Sequence, residues 1–328
     1  MTSGTFEEAM EEIQQAESFI LSTHVHPDGD ALGTMLGCAH FLRALGKTDI
    51  RCVIQDPIPN MYLWLPGVEW IEVGDFEPGN ADLFIVVDVA QLERIGTAAG
   101  AMKPNQRILV LDHHLEEAPC GDVNVMRTDL ASASEVIVGL FEHTELPISK
   151  DAAECMYVGI TTDTGGFRYA NTTAETHRHA KLLLESGVEV TSVSSKVFET
   201  LTRSKLELLR LVLGRMVVGG EGAYAYSYLT LSDLEDCQAN PEDVEGLVNF
   251  PRNLEGVRVG ALFREIPNDQ TKVSLRSQTT FNSAHCLQAF GGGGHAGAAG
   301  ATLDMPLKVA LDAVSHGIQN QLKTDNNR

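Results

Sequence analysis

Short apolar runs alternate with segments of helical periodicity in the first half of the chain, and this alternation constrains the fold more than any other feature. The runs Leu83-Phe-Ile-Val-Val87 and Ile108-Leu-Val-Leu111 are apolar at every position. Such runs are typical of parallel strands that are buried on both sides beneath helices. The pattern therefore predicts an α/β fold with a parallel sheet and helices on both faces. Further strands are expected at 18–24 and 51–54, and helices at about 31–45, 132–143, 150–161 and 173–186.

The character of the sequence changes near residue 190, where Gly187-Val-Glu-Val-Thr-Ser-Val-Ser-Ser195 is polar and β-branched. We therefore predict a first domain at 1–187, a linker at 188–205 and a smaller C-terminal α/β domain at 206–328. The second domain should begin with a helix at about 204–216. The rest of it is interpreted as strands, including 223–229, 257–263 and 271–276.

The overall charge disfavours one class of ligand. The chain has 24 Lys and Arg against 45 Asp and Glu, a net charge of −21. A long nucleic acid needs clustered cations on the protein surface, whereas a small anion can be held in one local pocket. No segment approaches the roughly 18–20 apolar residues of a membrane span. The Glu-rich N-terminus is unlike a signal peptide, and the six cysteines lack a C-x-x-C pair, so we expect a cytoplasmic protein with reduced thiols.

Three apolar runs end in groups that are costly to bury unpaired. His24 follows the first run, Asp88 follows the run at 83–87, and Asp112-His113-His114 follows the run at 108–111. Ligands of open parallel sheets bind beyond the carboxyl ends of the strands, so these side chains should converge although they are distant in sequence. A single Asp at a strand end would be read as a cap, but three such ends together favour a metal site.

Further oxygen donors occur in two loops. Asp28 and Asp30 lie in His24-Val-His-Pro-Asp-Gly-Asp30, where Pro and Gly predict a tight turn, and Asp163 ends another apolar segment. Carboxylate and imidazole donors without thiolates favour Mn²⁺ over Mg²⁺, Fe²⁺ or Zn²⁺. The donors outnumber the needs of one ion, so two ions are the better hypothesis. A pair of ions about 3.5–4 Å apart can activate water and bind a phosphoryl group.

The segment Gly291 to Gly300 has two interpretations. Its composition fits a flexible linker, but it lacks Ser and charge and has apolar neighbours, which favours a glycine-rich turn whose amides bind an anion. We therefore predict a phosphate-binding or nucleotide-binding site in the second domain. The candidate residues are Gly293, Gly294 and His295, with Arg276 and, more weakly, Arg264 as charged partners.

Taken in order, these motifs resemble those of the DHH phosphoesterase superfamily. His24-x-x-x-Asp28-x-Asp30, Asp88, Asp112-His113-His114 and Asp163 look like its four signature motifs. Phe290-Gly-Gly-Gly-Gly-His-Ala-Gly-Ala-Ala-Gly300 looks like the hallmark of the associated DHHA1 domain. The five motifs span nearly the whole chain, and their arrangement is most similar to the nanoRNase/pAp phosphatases, or bifunctional oligoribonucleases.

The resemblance implies a role for each side chain of the first four motifs. Two sets would each hold one Mn²⁺ ion, with Asp88 bridging the ions. Asp112 would orient an imidazole, and His114 would face the scissile phosphate. The first ion would be held by His24 and Asp28, and the second by Asp30, His113 and Asp163.

The resemblance also implies a function. The chain would hydrolyse short oligoribonucleotides to nucleoside 5′-monophosphates and dephosphorylate 3′-phosphoadenosine 5′-phosphate (pAp) to AMP. Long nucleic acids would not be substrates, and the resemblance implies a homodimer. The alternative is a phosphodiesterase for cyclic or linear dinucleotides, since related enzymes share every motif. A pyrophosphatase would leave the glycine-histidine segment unused. A non-catalytic nucleotide sensor should have lost at least one ligand, yet all six candidates are present.

Overall fold

The computed structural model describes residues 4–115, 118–278 and 280–326. It divides the chain into two compact units, Met1–Thr200 and Leu201–Arg328. In these three described ranges, no helix is both long enough and apolar enough to cross a membrane.

The first unit is built on a six-stranded sheet in the order β3-β2-β1-β4-β5-β6, in which every neighbouring pair is parallel. The expected parallel sheet is thus confirmed. Two short strands at the edges of the sheet, β3 and β6, are not among the predicted strands. The strands are β1 (Ser18–Ser22), β2 (Asp49–Ile54), β3 (Ile71–Val73), β4 (Leu83–Val87), β5 (Arg107–Asp112) and β6 (Val123–Met126).

Strand β4 shows why these runs are apolar throughout. All five of its residues are buried. Leu83, Ile85 and Val87 contribute to the larger core cluster, whereas Phe84 and Val86 point to the other face. The larger cluster includes residues of six α-helices, and the opposite face is covered by the 3₁₀-helical segment Leu92–Ala101. The helices of this unit are α1 (Phe6–Gln15), α2 (Gly29–Ala44), α3 (Ala133–Thr144), α4 (Lys150–Asp163), α5 (Ala174–Glu185) and α6 (Val190–Ser194).

Helix α2 is packed unusually closely against α4. Gly29, Gly33 and Gly37 recur every four residues and so share one side of α2. A Cβ atom on Gly33 would lie 2.4 Å from the carbonyl oxygen of Cys155 in α4. The absence of side chains along this row lets the two helix backbones approach each other, and the N-terminus of α2 is thereby held close to the C-terminal end of α4.

The segment 188–205, which we predict to be a linker, contains regular structure. It includes α6, the π-helical turn Ser195–Glu199 and the beginning of α7. The second unit has a mixed sheet in the order β11-β12-β10-β9-β8-β7. Its elements are α7 (Arg203–Gly214), β7 (Val217–Gly219), β8 (Tyr224–Leu229), α8 (Leu231–Asp236), α9 (Asn249–Arg252), β9 (Val259–Ile266), β10 (Gln270–Ser277), α10 (Ser283–Gln288), β11 (Gly293–His295), β12 (Ala298–Leu303) and α11 (Leu307–Asn326).

The structure excludes the linker interpretation of the glycine-rich segment, which the sequence already disfavoured, and corrects the assignment of the other elements to strands alone. The glycine-rich segment is not a linker, because β11 and β12 form an antiparallel hairpin and β12 also pairs with β10. The remainder is not made of strands alone. Val314 and Ile318 of α11 pack with Leu287 of α10 in the core beneath the sheet. Glycine content had suggested a loop, but backbone pairing requires no side chains.

Candidate metal centre

The candidate metal centre lies at the carboxyl ends of the central strands. β1 and β4 are adjacent, and the chain leaves them towards opposite edges of the sheet, which is the position where open α/β sheets bind ligands. The hydroxyl of Thr23 donates a hydrogen bond to the carbonyl oxygen of Val87 at 2.9 Å, so the ends of these strands are tied together. His24 and Asp88 are the next residues along each strand.

Asp88 lies at the middle of the candidate centre. Its side chain is buried, and its backbone has a φ of 57°, a left-handed conformation that Asp adopts more readily than most residues. Its Oδ2 is 3.4 Å from His24 Nε2, while its Oδ1 is 3.6 Å from His113 Nε2. The two carboxylate oxygens therefore face different imidazoles.

The first group of donors consists of His24, Asp28 and Asp88, whose donor atoms lie within 4.8 Å of one another. His24 Nδ1 donates to the carbonyl oxygen of Val25 at 2.9 Å, so Nε2 is the ring nitrogen that could bind a cation. Asp28 is the N-cap of α2, and its Oδ1 accepts from the amides of Asp30 and Ala31 at 3.0 Å. One local turn thus positions these two residues.

Asp30 is positioned by a helix that is distant in sequence. The amide of Ala133 donates to Asp30 Oδ2 at 2.7 Å, and that of Ser134 donates to Oδ1 at 3.0 Å. The Thr34 hydroxyl also donates to Oδ1 at 3.0 Å. The N-terminus of α3 stabilises a negative charge, so this buried carboxylate is fixed before any cation arrives. The Ser132 N-cap could have predicted the start of α3, but no local signal shows that it faces Asp30.

The second group of donors consists of Asp30, His113 and Asp163, again within 4.8 Å of one another. His113 Nε2 is 3.3 Å from Asp163 Oδ2 and 3.9 Å from Asp30 Oδ2. Asp163 is the last residue of α4, and Asn171 Nδ2 donates to its carbonyl oxygen at 3.1 Å. The structure thus brings all six predicted ligands together in two groups, and the contacts of Asp88 extend to both.

Asp112 and His114 complete the neighbourhood. Asp112 Oδ1 accepts from the His113 amide at 2.7 Å and from His114 Nδ1 at 2.9 Å. The imidazole of His114 is therefore held in one orientation and lies 3.8 Å from Asp88 Oδ1. Asp112 itself is buried, whereas the His114 side chain is partly exposed. This geometry fits an orienting carboxylate beside a solvent-accessible imidazole.

The site contains buried polar atoms that the described residues leave without a hydrogen-bond partner. They include Asp88 Oδ1 and His113 Nε2. Burial lowers the pKa of the imidazoles, but the carboxylates around them, Asp88 above all, outweigh this and raise the pKa of His24 to about 9 and that of His113 to about 10. Burial and nearby carboxylates raise the pKa of Asp30 and Asp163. The raised pKa values show that this cluster of carboxylates binds protons to compensate its negative charge. Divalent cations would supply the same positive charge, so the donor set fits them.

The predicted substrate residues lie in the second unit. Ala298 is opposite both His295 and Arg276 in the sheet, so all three side chains share one face. Gly293 and Gly294 belong to the same short strand β11. Arg264 is opposite Lys272, four residues along β10 from Arg276, which is a displacement of about 13 Å. The structure therefore groups His295, Arg276 and the glycines, but not Arg264.

Comparisons with known proteins cover both units. The model of the DHH family, N-terminal domain, matches residues 18–160, and the model of the DHHA1 domain matches residues 221–323. The chain is 30% identical to the bifunctional oligoribonuclease and PAP phosphatase NrnA of Thermus thermophilus, over 92% of this chain and 89% of that protein. Its identity to the Bacillus subtilis protein of the same name is 29%, over 90% and 92% of the two chains.

A solved structure is similar over the same extent. The exopolyphosphatase-related protein from Bacteroides fragilis superposes with a TM-score of 0.89 and 26% sequence identity. The similarity covers 98% of this chain and 97% of the other. The arrangement of elements described above is therefore shared with an experimentally determined fold.

Proposed function

Because the chain belongs to the DHH phosphoesterase family, with a DHHA1 domain after the DHH domain, we propose that it is a Mn²⁺-dependent hydrolase of short oligoribonucleotides and pAp. The products would be nucleoside 5′-monophosphates from the oligonucleotides, and AMP with inorganic phosphate from pAp. The single observation that carries the proposal is the position of Asp88, whose carboxylate faces His24 on one side and His113 on the other.

The donor groups suit two divalent cations. His24 and Asp28 would hold one ion, and Asp30, His113 and Asp163 the other, with Asp88 shared between them. When bound, such a pair of ions lowers the pKa of bound water towards neutrality and neutralises negative charge on the phosphoryl group that is transferred. The amides at the N-terminus of α3 keep Asp30 oriented, so this ligand needs little reorganisation.

His114 would assist the reaction from beside the donor groups. Asp112 Oδ1 accepts a hydrogen bond from Nδ1 of His114, which fixes the orientation of the ring and turns Nε2 away from Asp112. A proton on Nε2 would then be donated to a phosphoryl oxygen or to the leaving oxygen. Because Asp112 already holds the imidazole of His114 in place, the ring can stabilise the negative charge that develops on the phosphoryl group without first reorienting.

The charge of the chain supports a short substrate. A net charge of −21 repels a long polyanion, whereas a nucleotide needs only a local site. Arg276 and His295 share one face of the second sheet and would bind the terminal phosphate or base of the substrate. Carboxylate and imidazole donors without thiolate favour Mn²⁺ as the resident ion.

We expect a dinucleotide to be hydrolysed faster than a 24-mer of the same base composition, because extra phosphates add repulsion without adding contacts. Turnover of both RNAs should be measured with Mn²⁺ at one salt concentration. Raising the salt concentration should narrow the difference by screening the repulsion. Faster cleavage of the 24-mer would contradict the proposed substrate class.

A substrate panel tests the proposed function itself. pAp, a linear dinucleotide, a cyclic dinucleotide and inorganic pyrophosphate should be compared with the same enzyme and Mn²⁺. Hydrolysis of pAp and the linear dinucleotide, with little turnover of the other two, is the expected result. Exclusive turnover of cyclic dinucleotides would identify the alternative phosphodiesterase, and nucleotide binding without any turnover would identify a sensor.

A further inference from the structure

The chain makes a rigid turn immediately after the candidate ligand Asp163. Gly165, Gly166 and Phe167 adopt left-handed backbone conformations in succession, with φ values of 57°, 70° and 62°. Phe167 is not a glycine, so its conformation carries strain that the surrounding structure must hold. The Thr164 hydroxyl accepts a hydrogen bond from the amide of Phe167, and the Asn171 side chain donates one to the carbonyl oxygen of Asp163. The turn is thus fixed at both ends.

Two exposed aromatic rings lie against the glycines of this turn. A Cβ atom on Gly165 would meet the ring of Tyr169 at 2.4 Å, and one on Gly166 would lie 3.9 Å from the ring of Phe198. Tyr169 remains 47% exposed and Phe198 40% exposed, although large apolar groups are normally buried. Each ring therefore rests on backbone and presents aromatic surface to solvent.

Arg168, the residue before Tyr169 in the chain, supplies positive charge beside the turn. Its Nε donates to the carbonyl oxygen of Gly165, which fixes the guanidinium on the turn. Arg51, Arg107 and Arg178 of the same unit bind carboxylates in ion pairs. In the described part of the chain, no ion pair between Arg168 and a carboxylate is found, although the protein is strongly acidic. The guanidinium is thus available to an anion from outside.

We infer that Tyr169, Phe198 and Arg168 form a nucleotide-binding platform, in which the rings stack on a base and the guanidinium contacts a phosphate. The inference rests on the proposed function. Aromatic rings combined with a cation are the means by which proteins bind single-stranded nucleic acid without sequence preference. Gly165 follows Asp163 by two residues, so their Cα atoms are at most about 7.6 Å apart. The platform therefore adjoins the candidate metal centre.

The chemistry of the two substrates identifies the nucleotide that the platform binds. In pAp, the scissile 3′-phosphate is a terminal monoester with no second nucleoside attached, and it leaves as inorganic phosphate. In a dinucleotide, the same phosphate carries a second nucleoside, which leaves with it as a 5′-monophosphate. A platform beside the metal centre would bind this second nucleoside, which the dinucleotide has and pAp lacks. Tyr169 and Phe198 would then determine turnover of oligonucleotides but not of pAp.

The test compares kcat/KM on a 5′-phosphorylated dinucleotide and on pAp. Tyr169→Ala and Phe198→Ala should each lower kcat/KM about tenfold for the dinucleotide, in line with the loss of one stacked base, and leave pAp within about twofold. A dinucleotide whose second residue is abasic should be cleaved at similar rates by the wild type and Tyr169→Ala. Arg168→Gln should lower kcat/KM on both substrates, because both contain the scissile phosphate.

Phe250→Ala is the matched control, because Phe250 is also 40% exposed but lies in the second unit. It should leave both activities unchanged. Tyr169→Leu keeps an apolar side chain over Gly165 and replaces Tyr169→Ala if that variant does not fold. Equal losses on pAp and on the dinucleotide would overturn the platform alone. A wild type that hydrolyses neither substrate would overturn the proposed function and the platform with it.

Discussion

Replacing Asp88 by alanine should abolish phosphoester hydrolysis and Mn²⁺ binding together. Its two carboxylate oxygens face His24 Nε2 at 3.4 Å and His113 Nε2 at 3.6 Å, so one side chain serves both donor groups. Loss of a single contact to a transition state typically lowers kcat by about 100- to 1,000-fold, and loss of a shared ligand should exceed that. Calorimetric titration with Mn²⁺ and kcat/KM on pAp would measure the two effects separately.

The controls for this prediction follow from the backbone of Asp88. Its φ of 57° suits Asn as well as Asp, so Asp88→Asn removes the charge without the strain that Ala would add. Mn²⁺ should raise the melting temperature of the wild type but not of either variant, because a ligand stabilises only the state that binds it. Asp129→Ala removes an exposed carboxylate paired with Arg127 and should retain both properties. Near-normal turnover by Asp88→Ala would exclude the bridging role.

The parts of the fold that were predictable from the sequence are those with a local signal. An apolar run such as β4 predicts a strand that is buried on both sides, and Asp88, the residue after it, indicates the carboxyl end where the candidate metal centre lies. Parallel strands then bring their carboxyl ends together, so His24, Asp88 and His113 could be expected to meet. This inference needs no knowledge of how the helices pack.

The parts that were not predictable depend on contacts between distant residues or on backbone pairing. Asp30 accepts hydrogen bonds from the amides of Ala133 and Ser134, which lie more than 100 positions away and have no side-chain signature. The glycine-rich segment was open to a linker interpretation because its composition does not reveal that β12 pairs with β10. The edge strand β3 has three residues, too few to show a periodicity.

Gly159→Ala should destabilise the protein and weaken Mn²⁺ binding, although the same change in an isolated helix is stabilising by about 1 kcal/mol. Gly159 lies within α4, and an added Cβ would be 1.9 Å from Ser134 Oγ and 2.5 Å from Asp30 Oδ1. Overpacking of this kind typically lowers the free energy of unfolding by about 1–3 kcal/mol. Displacement of Asp30 should also weaken Mn²⁺ binding about 10- to 100-fold, as loss of support for a metal ligand does.

Gly214→Ala provides the matched control because Gly214 is also a helical glycine, at the end of α7, but an added Cβ would meet nothing within 4 Å. That variant should be as stable as the wild type or slightly more stable, and its Mn²⁺ affinity should be unchanged. Thermal unfolding and Mn²⁺ titration of the two variants would therefore give effects of opposite sign on stability. If Gly159→Ala were stabilised like Gly214→Ala and bound Mn²⁺ normally, the close packing of α2 and α3 against α4 would not be what positions Asp30.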